Sequence, residues 1–400
     1  MMTKIGVTGA FGFLGANFVK ALLDQGGLPG FPEDELRIVA FASRTKANPL
    51  FDTSIHGDRL RVENLDILDY GDLERKFAGL DAVAHFAGKV DYHTASKKSV
   101  WDTDVLGTKV VFDAALAAGI SKLLYVSSIC VLGSGGSDAS GRERLCHEES
   151  LPYDDPSWPI AFSSPEEALA AVDASLEGDY RFLEKSRVTY IDAKLAGWEL
   201  AKLYARERGL PVVTVFPGTV VGAGDIHFAI SKLVDLVWEG RLRLSFEGST
   251  SFVGARDFAK GAALALARGR IGEGYILGGR KEHNLSYSQY QDIVASLARA
   301  ERWFAQRRPP VLSRGFLLAL ATAAEFVSPQ GSLTRAFVLS GSLRNVCSSA
   351  KARAELGYEP SPSLEPAILE CRRFIEAGRA TAKRPWVMPL AQRFLPLGLR

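Results

Sequence analysis

Short apolar runs alternate with stretches of helical spacing through the first half of the chain. Residues 4–8, 36–42, 61–65, 82–86, 122–126 and 211–216 read as strands: each is a brief β-branched or aliphatic run bounded by polar residues or glycine. Residues 13–23, 100–118 and 190–208 carry apolar positions at helical spacing between them. Continuous apolar strands separated by helices predict an α/β fold with a parallel sheet buried on both faces. Two stretches look inserted. Residues 26–35 (GGLPGFPEDE) lengthen the first helix-to-strand connection. Residues 151–188 open with LPYDDPSWP and then give Ser-Pro-Glu-Glu at 164–167, a helix start with Ser164 as its cap. Beyond Gly222 the pattern loosens into helices with few strands, which predicts a smaller cap over the sheet. The expected division is a cofactor domain at 1–225 with a flap at 151–188, returning at about 252–283, and a substrate cap from 226–251 and 284–400.

Composition changes this picture little. The 400 residues are 47% hydrophobic and 24% charged, ordinary for a soluble enzyme and unlike collagen-like, disordered or disulfide-scaffold chains. A net charge of +2, from 48 basic and 46 acidic residues, demands no nucleic-acid partner. Cys130, Cys146, Cys347 and Cys371 form no Cys-x-x-Cys pair, so neither a metal site nor a disulfide framework is expected and a reducing cytoplasm fits. The longest apolar run, 315–324, is too short for a bilayer span of about 20 residues, although 315–327 suits peripheral membrane contact. The N-terminus reads as a strand, not a signal peptide. A small-molecule substrate and a second copy of the chain are the other partners considered.

Candidate chemistry begins at Gly9-Ala-Phe-Gly12-Phe-Leu-Gly15, between the first strand and first helix. Glycine lets backbone approach a pyrophosphate, and the helix N-terminus offers unpaired N–H groups to the anion. The spacing is Gly-x-x-Gly-x-x-Gly, and its place after a strand and before a helix gives it weight. No acid lies between Leu36 and Phe51, whereas Arg44 and Lys46 do. A basic residue there suits a 2′-phosphate, so NADP(H) is favoured over NAD(H). Asp66, after the third strand, can accept from an adenine amino group or cap the turn leading to Tyr70. His85, closing the fourth strand, reads as a packed histidine more than as a base.

Tyr190-Ile-Asp-Ala-Lys194 opens a helix, and residues four apart share a face. It is the one Tyr-x-x-x-Lys among eleven tyrosines. A nearby ammonium is expected to lower the phenol's pKa from about 10 toward working pH and make Tyr190 a general acid or base. Ser127-Ser128 ends the fifth strand, where ligands sit in open parallel sheets. Together these residues specify hydride exchange at carbon with proton exchange at the attached oxygen.

The ordered set TGAFGFLG, LDILD, VAHFAG, VLGTKVVFDAA, YVSSICVLG, YIDAK, LPVVTVFPGTVVGAGD and FVGARDFAKGAALAL resembles the extended short-chain dehydrogenase/reductase (epimerase/dehydratase-like) family, from Thr3 to about Gly279 and weakly again at 348–375. It looks most like the 3-beta-hydroxysteroid dehydrogenase and dihydroflavonol reductase branch. The resemblance implies a Rossmann-type doubly wound sheet with a smaller, mostly helical C-terminal substrate domain. By it, Ser128 polarises the carbonyl, with Ser127 as the fallback. Tyr190 exchanges the proton and Lys194 binds ribose. The cofactor contacts implied are Gly9, Phe11, Gly12, Phe13, Leu14, Gly15, Arg44, Lys46, Asp66, Ile67, Phe86, Ala87, Gly88, Lys194, Pro217 and Val220; Lys89, Val131, Trp158 and Phe162 are the substrate-side candidates.

Three departures stand out. Asp104 replaces the usual Asn of Asn-Val-x-Gly-Thr, Phe216 replaces an Arg before the proline, and the insertion lengthens the Ser128-to-Tyr190 separation. Aromatics at Trp158, Phe162, Phe228, Trp238, Phe246, Phe316 and Phe326 suit a steroid-, lipid- or aromatic-like alcohol or ketone. Arg241, Arg243 and Arg256 keep open a nucleotide-sugar epimerase or dehydratase, with Arg256-Asp257 read as a structural pair. A non-catalytic NADP-binding scaffold is the remaining alternative.

Overall fold

The structure is a computed structural model that describes residues 4–24, 35–43, 47–136, 144–226, 230–242, 244–301, 309–328, 331 and 333–381. Six of its strands follow the apolar runs: β1 (Lys4–Thr8), β2 (Arg37–Ala42), β3 (Leu60–Asn64), β4 (Ala82–His85), β5 (Lys122–Val126) and β6 (Val212–Pro217). With Gly274–Leu277 they form a seven-stranded sheet in the order Gly274–Leu277, β6, β5, β4, β1, β2, β3. Every pairing in it is parallel. The strand order reverses between β1 and β4, and the crevice beyond their carboxyl ends is where a doubly wound sheet takes a ligand.

Both faces are covered. Helices Phe13–Asp24 and Ala255–Arg268 pack on one, burying Phe18, Val19, Leu22, Phe258 and Leu266 against Ile5, Val7 and Leu124. On the other face lie Tyr70–Phe77, Gly107–Ala117 and Thr189–Arg208, with Phe77, Phe112 and Tyr204 against Phe41, Leu123 and Tyr125. Each fully buried side chain of this size contributes about 1.5–3 kcal/mol, so the sheet is a rigid platform for the loops at its carboxyl edge.

The long helical stretch after β4 is continuous but irregular. Lys97–Trp101 and Gly107–Ala117 are α-helical, and Asp102–Leu106 between them is a π-turn. Residues 151–188 form a compact lobe, not an open strap. Ser164 caps helix Pro165–Leu176 by accepting from the Glu167 N–H, as its sequence implies. That helix packs on Thr189–Arg208. Tyr180 Oη donates to Asp102 at 2.7 Å, and Lys97 Nζ donates to the Leu183 and Ser186 carbonyls.

The C-terminal region is mostly helical with a few short strands, as the loosened pattern implies. Short strands Asn284–Ser286, Ser249–Gly254 and Arg344–Asn345 make a small sheet, to which Thr219–Val221 also pairs, and Val311–Leu312 pairs with Ser245–Phe246. Strands of two to six residues are too short for a two-residue alternation to stand out in sequence. The expectation of no disulfide is corrected. Cys146 and Cys347, 201 residues apart, are disulfide-bonded beside an isolated parallel bridge, leaving Cys130 and Cys371 free. Among the described residues no helix is long and apolar enough to cross a membrane. Arg44, Lys46, Phe228, Arg243 and positions 26–34 of the first insertion lie outside the described residues.

Candidate active site

The glycine turn leaves β1 and enters helix Phe13–Asp24. Gly9 has φ +66°, and a Cβ there would stand 2.6 Å from the Ala87 nitrogen. A Cβ on Gly15 would stand 2.2 Å from the Gly9 carbonyl oxygen, so the turn closes only with glycine at both positions. Gly12 is different: its Cβ would meet only the Gly9 oxygen, at 3.3 Å, so the space before the helix N-terminus is open. The first N–H groups of that helix lack intrahelical partners. The turn therefore fits a pyrophosphate. Phe11 itself is buried and stacked on Phe51, while Phe13 and Leu14 are half-buried.

Two residues without a sequence signal brace this turn. Asn48, 2% exposed, donates from Nδ2 to the Phe11 and Gly224 carbonyls, both at 3.1 Å. Asn17 donates to the Phe13 and Ala223 carbonyls. Each ties the phosphate turn to the 222–225 loop, and a single asparagine in a loop gives no pattern to find.

Along the rest of the crevice, Phe86 and Ala87 follow β4 and are half-buried, and Gly88 is exposed. Asp66 is exposed and accepts from the Leu68 N–H; the cap of helix Tyr70–Phe77 is Asp69, not Asp66. Ile67 packs against Gly107. Pro217 and Val220 are buried at the carboxyl end of β6 and the strand after it. Phe216, at the arginine position of the family pattern, is buried edge-on to Trp198 at 5.2 Å. His85 is a structural histidine. Thr108 gives its hydroxyl proton to the Asp104 carbonyl and so accepts from Nε2–H, which leaves Nδ1 to accept from Thr8. Burial pushes its pKa down to about 3, with the Lys194 charge adding to the effect, so it is neutral at working pH.

Helix Thr189–Arg208 presents Tyr190 and Lys194 one turn apart. Ser128 is the serine near the Tyr190 phenol and favours its ionised form, whereas Ser127 is 3% exposed and turned inward near Tyr125. The expected depression of the phenol's pKa is not found. Burial holds Tyr190 well above the ordinary tyrosine value, and Cys130, Tyr92 and Asp104 add to this; the Ser128 hydroxyl opposes them. Lys194 lies on the same side of the helix as the phenol. Its Nζ is 6.0 Å from the Tyr190 ring centre and 3.9 Å from Asp104 Oδ1. That ammonium has no closer polar partner among the described residues, and it fits a ribose diol.

The substrate-side candidates divide. Tyr92 stands edge-on to Tyr190 at 6.2 Å and to Phe337 at 5.9 Å. Trp158 is 4% exposed and packs with Val188, Ile191 and Leu343 in the cluster that meets Tyr190 and Tyr92; its Nε1 donates to the Cys130 carbonyl. Trp158 thus supports the wall beside the phenol and presents little surface. Phe162 and Val131 do not face a cleft: both are buried in the core shared with Trp101 and Phe182. An apolar residue gives the same sequence signal in a core as in a pocket. Lys89 is half-buried and donates to Ser99. Trp238 is core, and Phe246 is packed by Tyr287 and Phe337. Phe316 and Phe326 are exposed. Tyr92 was missed because a single tyrosine in a polar loop has no periodicity.

Of the arginines held for a diphosphate, Arg241 pairs with Asp235 and Arg256 with Glu370. Asp257 instead accepts from Ser361, so the expected Arg256–Asp257 pair does not form. A cavity of about 270 Å³, lined by Trp158, Leu343, Arg144, Arg314, Arg344 and Asp155 among others, adjoins the Trp158 wall.

The profile of the "NAD dependent epimerase/dehydratase family" matches residues 5–163. Sterol demethylase protein B of Methylococcus capsulatus is 25% identical over 277 residues, which are 68% of this chain and 69% of that one. A dTDP-glucose 4,6-dehydratase of Streptomyces niveus is 26% identical over 293 residues, 70% and 73% of the two chains. The fold is shared with a dTDP-glucose 4,6-dehydratase double mutant from Streptomyces venezuelae crystallised with NAD, at a TM-score of 0.65 and 23% identity over 94% of this chain and 98% of that one. With its phosphate turn and seven-stranded parallel sheet, the chain is similar to the NAD-dependent epimerase/dehydratase family of extended short-chain dehydrogenases/reductases, the family whose profile matches residues 5–163.

Proposed function

We propose that the protein interconverts a secondary alcohol and a ketone on a hydrophobic, steroid-, lipid- or aromatic-like substrate, with NADP(H) as the preferred cofactor. The observation that carries the reading is the wall around Tyr190. Tyr190 packs on an apolar cluster of Trp158, Val188, Ile191, Leu339 and Leu343, against which Ile160, Leu318 and Ala336 also pack, and Tyr92 stands edge-on to its ring. A sugar ring would leave its hydroxyl groups unpaired against such a wall.

The balanced reaction is alcohol plus NADP⁺ giving ketone, NADPH and one proton. The bound nicotinamide supplies the hydride acceptor or donor. Ser128 donates a hydrogen bond to the reacting oxygen, Tyr190 takes or gives its proton, and Lys194 binds the cofactor ribose and holds positive charge near the phenol. The lobe at 151–188 keeps water from the far side of the phenol through Trp158.

NADP(H) preference rests on Arg44 and Lys46 with no acid beside them. NADPH should bind more tightly than NADH, and Arg44→Asp should weaken NADPH by about 1–3 kcal/mol while leaving NADH little changed. A wild-type preference for NADH would refute this part. The uncharged outer face of helix Arg314–Val327, with Phe316, Phe326 and Val327 exposed, supports peripheral membrane contact. It should appear as vesicle co-sedimentation that Phe326→Ser reduces; equal sedimentation of both proteins would count against it.

The second reading, a nucleotide-sugar epimerase or dehydratase, is favoured by one observation: Arg144, Arg314 and Arg344 line the cavity beyond Trp158. Net cofactor consumption separates the two. The proposed reaction consumes one cofactor per product, whereas an epimerase or dehydratase of this fold returns the hydride within the cycle.

A further inference from the structure

We propose that Asp104, at the position where the family pattern has asparagine, is the resident counter-charge of Lys194 and a positioning residue for proton exchange at Tyr190. The inference rests on the Tyr190/Lys194 reading above and adds a fourth member to it.

Asp104 is fully buried, in the π-turn Asp102–Leu106 that interrupts the helix after β4. Extra residues in such turns recur where a helix must aim a side chain at a site. Oδ1 accepts from the Lys89 N–H at 2.8 Å and lies 3.9 Å from Lys194 Nζ; Oδ2 is buried with no hydrogen-bond partner among the described residues. The two charged groups meet behind Gly88. A Cβ on that glycine would stand 2.8 Å from Oδ1 and 3.0 Å from Nζ. An asparagine would supply the same neutral acceptor to Lys89. The carboxylate adds a full negative charge at a place where the nearest cation is the catalytic ammonium.

Burial raises the Asp104 carboxyl above its ordinary value, and the Lys194 charge and the Lys89 N–H oppose that rise; an ammonium and a carboxylate at this distance each favour the other's charged form. The other groups facing them do not provide that balance. His85 on β4 and Tyr125 on β5 are neutral. Cys130 and Tyr92 beside the phenol are held protonated by burial. Asp192, on the same helix, is committed to Ser186 and the Ala161 N–H, with Lys97 nearby. Lys89 directs its ammonium to Ser99 and Asp91. Asp104 is therefore the charge that offsets Lys194, and it makes the Tyr190 phenol hold its proton more firmly, in accord with the upward shift it imposes there. Alcohol oxidation needs the phenolate, so its rate should rise with pH at a higher midpoint than with asparagine.

The test is Asp104→Asn, which preserves shape and the acceptor to Lys89. In the kcat/KM profile for alcohol oxidation the midpoint should fall by about one pH unit. Coincident wild-type and variant profiles would overturn the proposal. A second measurement needs neither turnover nor a folded variant. In the infrared spectrum of the wild-type protein, labelled with ¹³C-aspartate and taken at about pH 8, above the ordinary carboxyl range, Asp104 should contribute no protonated-carboxyl band. A neutral-acid band would overturn it. Tyr190→Phe, run alongside, keeps the two claims apart. Full activity in that variant would refute the Tyr190 role, while the infrared result still reports the charge of Asp104.

Discussion

Replacing Tyr190 by phenylalanine removes one oxygen and leaves the ring. The ring's edge contact with Tyr92 at 6.2 Å and its packing beside Trp158 are unchanged, and what is lost is the hydroxyl beside Ser128. Even a full hydrogen bond is worth about 0.5–1.5 kcal/mol of stability, so the variant should fold with a midpoint close to wild type. Its catalytic cost is much larger. A positioned acid or base contributes about 10²–10⁴ in rate, which is about 3–5.5 kcal/mol of barrier. Cofactor affinity should be little changed, because the glycine turn lies elsewhere along the crevice and the substitution removes no atom of Lys194. The assay is a stopped-flow record of reduced-nicotinamide absorbance at saturating cofactor and substrate, so that chemistry and not binding is read. A rate within about threefold of wild type would refute the assignment of the proton to this residue, since it corresponds to well under one kcal/mol.

Asn48→Ala should strip the phosphate turn of its two bonds to Phe11 and Gly224, leave both carbonyls buried, and cost about 2 kcal/mol of stability together with a roughly tenfold weaker cofactor Kd, read by chemical denaturation and fluorescence titration. Asp192 gives a pH signature. Burial raises its carboxyl to about 6, above the ordinary value of 3.8. Between those two pH values the folded protein holds a proton that the unfolded chain has lost, so this group's contribution is full below about pH 4, declines as pH rises to about 6, and is flat above. The decline is about 3 kcal/mol, two units at about 1.4 kcal/mol each. Urea unfolding of wild type and Asp192→Asn across that window should show a stability difference that changes with pH, and a constant difference would contradict the shift.

Much of this site was legible because its parts are local. Each strand of the central sheet is a brief apolar run, and β1 and β5 coincide with the expected bounds. The glycine turn reads from adjacency to a strand and a helix, and Tyr190 and Lys194 read from their four-residue spacing. What was not legible depends on contacts distant in sequence. Trp158, Phe162 and Val131 look alike as apolar residues near the site, yet only Trp158 reaches the Tyr190 cluster. Cys146 and Cys347 meet because the topology brings two distant segments into one bridge. Asn48 braces the phosphate turn from 37 residues away. The position of Asp104 relative to Lys194 depends on a π-turn, whose residues have no sequence period of their own. A neighbouring lysine alone implies a lowered pKa for Tyr190; burial, with Cys130, Tyr92 and then Asp104 adding to it, reverses the direction.

The most direct test of the central claim follows one hydride. NADPH carrying deuterium at its transferable position is mixed with the protein and a panel of steroid, lipid and aromatic ketones, and the products are read by mass spectrometry. The account predicts one NADPH oxidised for each alcohol formed, with the deuterium on the new carbinol carbon and both signals lost in Tyr190→Phe. Turnover of a nucleotide sugar with no net change in cofactor, and no ketone reduced, would contradict it.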